Sequence, residues 1–383
     1  MKKKALLLVS YVLVSALSAA ATMGILFWQT DGVSKLDQLE ELIEKYYIEE
    51  ADPTALEDAA AEAMIKATGD RWSYYIPAAD YASYLETSEN AYVGIGITIT
   101  VAHDGSGLQV MEVNPGSSAE EAGLQVDDVI TAIEGQSAAD MTTTEARNLV
   151  RGKEGTSVEL TLWRRGQTLT VSVVRRKVEV RVASGTLLEG GVGLVAIENF
   201  DDRCASETIA AIESLMEQGA DRLIFDVRNN PGGYAHELVS LLDYLLPEGD
   251  LFRTVDYRGK ESVDKSDAAC LEIPMVVLVN GDSYSAAEFF AVALQEYEAA
   301  TVVGEKTTGK GHFQSTFKMK DGSAVALSIG KYYTPKGISL EGVGITPDVV
   351  VSVDPDMAAD IAYGQLSPEE DPQIQAALDV LNR

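Results

Sequence analysis

Cysteine is nearly absent: Cys204 and Cys270 are the only two in 383 residues, which excludes a disulfide framework, and neither sits in a CxxC pair or at metal-ligand spacing. Histidine is as scarce, with three copies. His236-Glu237 opens like a zincin helix, but Ser240 stands where the second histidine belongs, so that metal motif is excluded and no metal or cofactor is implied. Positive charge is short: 30 Lys and Arg face 60 Asp and Glu, for a net charge of -30. A nucleic-acid partner is therefore excluded, because phosphate binding needs a basic stripe. No G-x-S-x-G surrounds Ser285, which removes the Ser-His esterase elbow, and no repeat or low-complexity tract appears. The acidity is spread over the chain and reads as a well-solvated surface.

One long apolar run is present. Lys2, Lys3 and Lys4 precede an uncharged stretch from Ala5 to Trp28, long enough to cross hydrocarbon, with Phe27-Trp28 at the far interface. It reads as an uncleaved single-pass anchor in the cell membrane with the remainder outside the cytoplasm. The rival is a cleaved signal peptide and a secreted protein, since Ala19-Ala20-Ala21 supplies small residues for cleavage.

The length suits two or three domains. Leu36, Leu39, Leu42, Ile43, Tyr46 and Tyr47 recur at helical spacing, and a second helix opens with Pro53 and closes near Gly69. This hairpin has an apolar stripe that must pack on the body of the protein or on a second copy. Strands are expected at Tyr92–Val101, Leu108–Val113, Asp128–Ile133, Val158–Trp163 and Thr168–Val173, with short helices at Ser117–Ala122 and Thr142–Val150. Beyond Arg175, strands and helices alternate in an α/β pattern, and Met275–Val279 looks buried on both faces. Catalytic residues belong in the turns after such strands. The acidic tail after Pro355 reads as a peripheral helix.

Three turns carry candidate chemistry. Pro274–Phe290 is a strand that turns into a helix with Ser285 at the join, where the Ala286 amide lacks a helical partner and is free to hold an oxyanion. Arg228-Asn-Asn-Pro-Gly232-Gly233 ends another strand, and either glycine amide could complete the oxyanion pair. Gly304–Gln314 places Lys310 between glycines; a lysine desolvated in an apolar pocket sheds its proton readily enough to act as a base. In extended chain Lys310, His312 and Gln314 share one face, so Gln314 can orient the amine. Alone, each turn has an ordinary reading, as helix cap, tight turn and loop lysine.

Together these segments resemble the carboxy-terminal processing, or tail-specific, peptidases. The resemblance rests on Arg228-Asn-Asn-Pro-Gly-Gly233, Asn280-x-x-Ser-x-Ser-Ala-x-Glu288 and Gly309-Lys-Gly-x-x-Gln314 in register. Asp70–Pro77, Gly94-Ile-Gly96, Pro115–Leu124 and Gly342–Asp348 extend it over nearly everything after Leu36. It implies a crotonase-like α/β core with an inserted β-rich PDZ domain and an N-terminal helical region able to mediate a homodimer. It puts the nucleophile on Ser285 rather than Ser283, the general base on Lys310 and the orienting amide on Gln314. Gly232 and Ala286 are the expected oxyanion donors. Gly94, Ile95, Gly96 and Ile97 match the loop that clasps a substrate's terminal carboxylate while the tail adds as a strand. Tyr284, Ala287 and His312 depart from the family pattern; a protonated His312 on the dyad's face is expected to lower activity below neutral pH. The domains implied are 1-30 anchor, 31-90 helical region, 91-175 PDZ, 176-355 catalytic core and 356-383 tail. The function implied is a serine endopeptidase acting on proteins with accessible C-terminal tails; the alternative is a catalytically silent PDZ scaffold.

Overall fold

The computed structural model describes residues 34–383. The expected anchor, Ala5 to Trp28, lies outside the described residues; among those described, no helix is long and apolar enough to cross a membrane. The chain divides into two compact units, one ending at Pro77 and the other spanning Ala78–Arg383.

In the first unit, α1 (Lys35–Tyr46) begins in a capping box: Asp37 N donates to Ser34 Oγ and Ser34 N to the Asp37 carboxylate. Helix α2 (Pro53–Lys66) is capped by Asp52, whose carboxylate accepts from Thr54 N at 2.9 Å, with Pro53 at the first position. A short strand, β1 (Tyr74–Ile76), follows, and the Tyr75 hydroxyl donates to Asp58 of α2. Neither helix buries a residue. The apolar stripe of α1 is exposed, with Leu42 at 54% and Tyr46 at 69%.

The second unit opens with α3 (Tyr81–Ser88) and β2 (Ala91–Gly94), then a six-stranded antiparallel sheet made from β3 (Ile97–Val101), β4 (Leu108–Val113), β5 (Val129–Ile133), β6 (Gln136–Ser137), β7 (Ser157–Arg164) and β8 (Gln167–Val174). Its main order is β3-β4-β5-β7-β8, so β3 is an edge. Helices α4 (Ser118–Glu121) and α5 (Thr143–Val150) complete the module around Leu108, Val110, Ile130, Leu160 and Leu162, all buried. The single strand expected from Tyr92 to Val101 is two, because Gly96 adopts φ +79° and a side chain there would meet Ser117 Cβ at 2.5 Å. After β8, β9 (Arg176–Glu179) pairs antiparallel with β2, so the chain leaves the module beside its point of entry.

The remainder is built on β10 (Ala183–Leu188), β11 (Val192–Ile197), α6 (Cys204–Glu217), β12 (Arg222–Asp226), α7 (Ala235–Leu245), β13 (Gly249–Asp256), β14 (Glu261–Ser266), β15 (Met275–Val279), α8 (Ala286–Glu296), β16 (Ala300–Gly304), β17 (His312–Lys318), β18 (Ala324–Tyr333), β19 (Val349–Val350), α9 (Pro355–Ala362) and α10 (Pro372–Leu381). The main sheet runs β10-β11-β12-β15-β16-β19, parallel except for β10. Its strands alternate between two cores: Leu223, Phe225 and Val277 face α6, α7 and α8, while Ile224, Val276 and Leu278 face Ile374 and Ala377 of α10. The tail is therefore not peripheral. A sheet apolar on both faces needs a second cover, and α10 supplies it. Strands β13, β14, β17 and β18 form a separate antiparallel layer.

Candidate active site

Three loops meet beyond the carboxyl ends of β12, β15 and β16, where an open α/β sheet places its ligands. The first two loops are stitched together through amides. Asn229 N donates to Asn280 Oδ1 and Asn280 Nδ2 to Asn229 Oδ1, at 2.9 and 2.8 Å, while Tyr284 N donates to the Asn230 carbonyl. Ser283, fully buried, donates to the Val227 carbonyl at 2.7 Å and accepts from Asn280 N at 3.0 Å. Of the two serines in the motif, Ser283 is thus a tie between loops.

Ser285 sits at φ 58°, ψ -124°, immediately before α8. Such a conformation costs on the order of 1–3 kcal/mol in a non-glycine residue and persists only where its surroundings enforce it. The same strand–serine–helix device defines the nucleophile elbow of the α/β-hydrolases. Here the room comes from another loop. Gly232, at φ +89°, lies so close that an added Cβ would stand 2.8 Å from both Ser285 Cβ and Ala286 N.

The third loop is tied to the second by Glu288. This carboxyl, with no exposed surface, accepts from Ser285 N at 3.0 Å, Lys310 N at 2.8 Å, Gly309 N at 2.8 Å and the Thr307 hydroxyl. Oε2 alone receives both the Ser285 and the Lys310 amides. Burial raises its pKa above the usual range while these donors pull it down. Thr307 in turn accepts from Ile345 N at 2.8 Å, which brings in the Gly342–Asp348 segment. The sequence marked Glu288 as part of a pattern without a task; a carboxylate three residues into a helix is also an ordinary cap, so nothing local announced that it joins two loops.

Lys310 is half-buried, its Nζ 5.7 Å from the centre of the Tyr284 ring. Gln314 lies on β17, next to a bulge between Phe313 and Gln314, and its amide nitrogen donates to the His312 carbonyl and to Ser328 Oγ, both at 3.1 Å. Those bonds turn its carbonyl oxygen into the acceptor end. His312 Nδ1 stands 3.5 Å from the Glu341 carboxylate.

For the oxyanion pair, Ala286 N opens α8 and takes no acceptor among the described residues. Gly232 does not match its expected part: its N–H is engaged by Asn230 Oδ1 at 2.8 Å. The Gly233 amide, one residue on, has no such partner among the described residues. An apolar recess lined by Gly233, Ala235, Leu238, Phe252, Phe289 and Tyr332 adjoins Ser285, closed down to about 10 Å³, close to the least space that admits one water.

In the antiparallel module, Gly94, Ile95, Gly96 and Ile97 line a cavity of about 320 Å³ with Ile99, Val150 and two arginines of the α5 end, Arg147 and Arg151.

Residues 191–351 match the model of peptidase family S41, and residues 109–164 that of a PDZ domain. The carboxyl-terminal-processing protease of Synechocystis is 33% identical over 329 residues, covering 84% of this chain and 76% of that one. The carboxy-terminal processing protease CtpA of Bacillus subtilis is 34% identical over 333 residues, covering 85% and 71%. This chain belongs to the carboxyl-terminal-processing proteases. A putative S41 protease from Bacteroides fragilis, 17% identical, shares the fold over 90% of this chain and 97% of its own, with a TM-score of 0.52. As a carboxyl-terminal-processing protease the chain is a serine-type peptidase of family S41 with a PDZ domain, and the Ser285, Lys310 and Gln314 segments all fall inside the S41 match.

Proposed function

We propose that Ser285 is the nucleophile and Lys310 the general base of an endopeptidase that engages the free C-terminus of its substrates through the groove beside β3. The observation that carries this is the single Glu288 oxygen holding the Ser285 and Lys310 amides together. A neutral Lys310 amine takes the Ser285 hydroxyl proton as Oγ bonds to the scissile carbonyl carbon. The carbonyl becomes an oxyanion facing the Ala286 amide and, in place of Gly232, the Gly233 amide. When it collapses, the carbon–nitrogen bond breaks and the Lys310 ammonium returns its proton to the leaving amine. Water then attacks the Ser285 ester, giving its proton to Lys310, and Ser285 regains a proton as the acid departs. Gln314, through its carbonyl oxygen, orients the amine. The narrow recess of Ala235, Leu238 and Tyr332 favours a small apolar side chain before the cleaved bond.

The sequence supports attachment to the cell membrane through residues 5–28 with the catalytic part outside, the secreted form being the rival. The exposed stripe of α1 supports a homodimer. The test is cleavage of an unstructured protein with an apolar free C-terminus by the full chain, beside Ser285→Ala, Lys310→Ala and a C-terminally amidated substrate. Loss of at least about 10³-fold in both variants, and slower cleavage after amidation, is expected. Cleavage surviving in Ser285→Ala overturns the assignment; tail binding with no cleavage by the parent favours the silent scaffold.

A further inference from the structure

The groove beside β3 carries a charge that tail capture alone does not explain. Its floor is apolar, from Ile95, Ile97, Ile99 and Val150, and it is lined on the α5 side by Thr143, Arg147 and Arg151. The two arginines differ. Arg151 donates to Glu86 at 2.6 Å and stacks on the Tyr92 ring at 4.6 Å, so it has its counter-charge. Arg147 is exposed and its side chain makes no ion pair or hydrogen bond among the described residues. The acids on neighbouring elements are engaged elsewhere: Glu145 closes the cap of α5 with Thr142, and Glu112 of β4 faces Thr98 Oγ1 at 3.4 Å. In a chain of net charge -30, an unpaired cation along a peptide-sized groove is a local reversal of the general field.

We propose that the groove selects tails that end in an apolar residue and carry a carboxylate side chain two residues earlier, and that Arg147 reads that carboxylate. This rests on the tail-binding reading above. A peptide added to the β3 edge alternates its side chains, so the last and third-from-last residues face the same side, about 7 Å apart. With the terminal carboxylate at Gly94–Ile97, the last side chain meets Ile95, Ile97 and Val150. The third-from-last then lies along α5, where Arg147 follows Thr143 by one helical turn. The partner is a protein whose C-terminus is apolar and locally acidic.

Binding is measured by fluorescence anisotropy with the full chain carrying Ser285→Ala, against eight-residue peptides that end in valine and bear Glu, Gln or Lys at the third position from the end. Glu is expected to bind about 5-fold tighter than Gln and Lys weaker still, the range of a partly exposed ion pair, with the difference shrinking in high salt. Arg147→Glu should invert the Glu-over-Lys order, and Arg147→Ala should level it, both with a melting temperature within a few degrees of the parent because the exposed Arg147 side chain makes no ion pair or hydrogen bond among the described residues. Equal affinity for the three peptides overturns the proposal. So does an Arg147→Glu variant that weakens all three alike, since Arg147 would then serve the terminal carboxylate. Amidated peptides separate the two levels: if they bind as well as free acids, tail recognition itself fails, whereas free-acid binding indifferent to the third residue defeats only the Arg147 assignment.

Discussion

The loops around Ser285 and the groove beside β3 belong to one compact unit, yet they treat their polar groups in opposite ways. Around Ser285, donors and acceptors are matched except for the Ala286 and Gly233 amides: Glu288 takes four donors, Ser283 bridges two loops, and Asn280 donates its amide to Asn229. Beside β3, a sheet edge and the Arg147 cation are left without partners among the described residues. A reaction needs its attacking atom held within a fraction of an ångström, so the scaffold around it must be saturated; a docking groove needs groups the visitor can complete.

The sharpest way to break the comparison is Glu288→Ala. It leaves the Ser285, Gly309 and Lys310 amides without an acceptor, and a loss of roughly 3–5 kcal/mol in stability with at least about 10²-fold in kcat is expected. Denaturant unfolding and peptide hydrolysis measure both, and near-parental kcat would show that the carboxylate is only a cap. Next is Ser283→Ala, which removes a buried bridge: about 2 kcal/mol should go, while hydrolysis persists at temperatures where the fold holds. Ser285 and Ser283 would then divide chemistry from structure between neighbouring hydroxyls.

Asp201 sharpens the contrast through pH. Burial, then Asp202 and Glu237, push its carboxyl up to about 7 from 3.8. Below about pH 4 both folded and unfolded chains hold this proton. Between pH 4 and 7 only the folded chain keeps it, so stability falls as pH rises through that window and levels off above. The shift corresponds to ~4 kcal/mol, about half of which survives solvent screening at this partly exposed site. Asp201→Asn should flatten the decline, read by thermal melting from pH 4 to 8; an unchanged slope refutes it. The smallest effect is expected in the groove: Gly96→Ala, forcing a side chain onto Ser117 Cβ at φ +79°, should weaken tail binding about 10-fold and leave hydrolysis of short peptides untouched.

Sequence patterning carried the core well where it was strongly apolar: Met275–Val279 is a strand at its expected bounds, buried throughout. It missed β13 and β14; in Glu261–Ser266 three charged residues surround a single apolar one, Val263, so no apolar period marks the strand. It missed the placement of α10, whose burial depends on strands far away in the chain. For the site, residue types in register pointed to Ser285 and Lys310, but which glycine amide is free was beyond pattern, since it turns on where the Asn230 side chain accepts.

The pairing of β2 with β9 bears on how such a molecule arises. Val180 N donates to the Asn90 carbonyl at 2.7 Å, and Arg203 holds the carbonyls of Glu89, Asn90 and Val180 together. The ends of the PDZ module therefore close on each other as a socket would. A foreign module whose termini lie equally close could be seated there without stretching the catalytic sheet, so the PDZ module and the catalytic core are free to evolve separately.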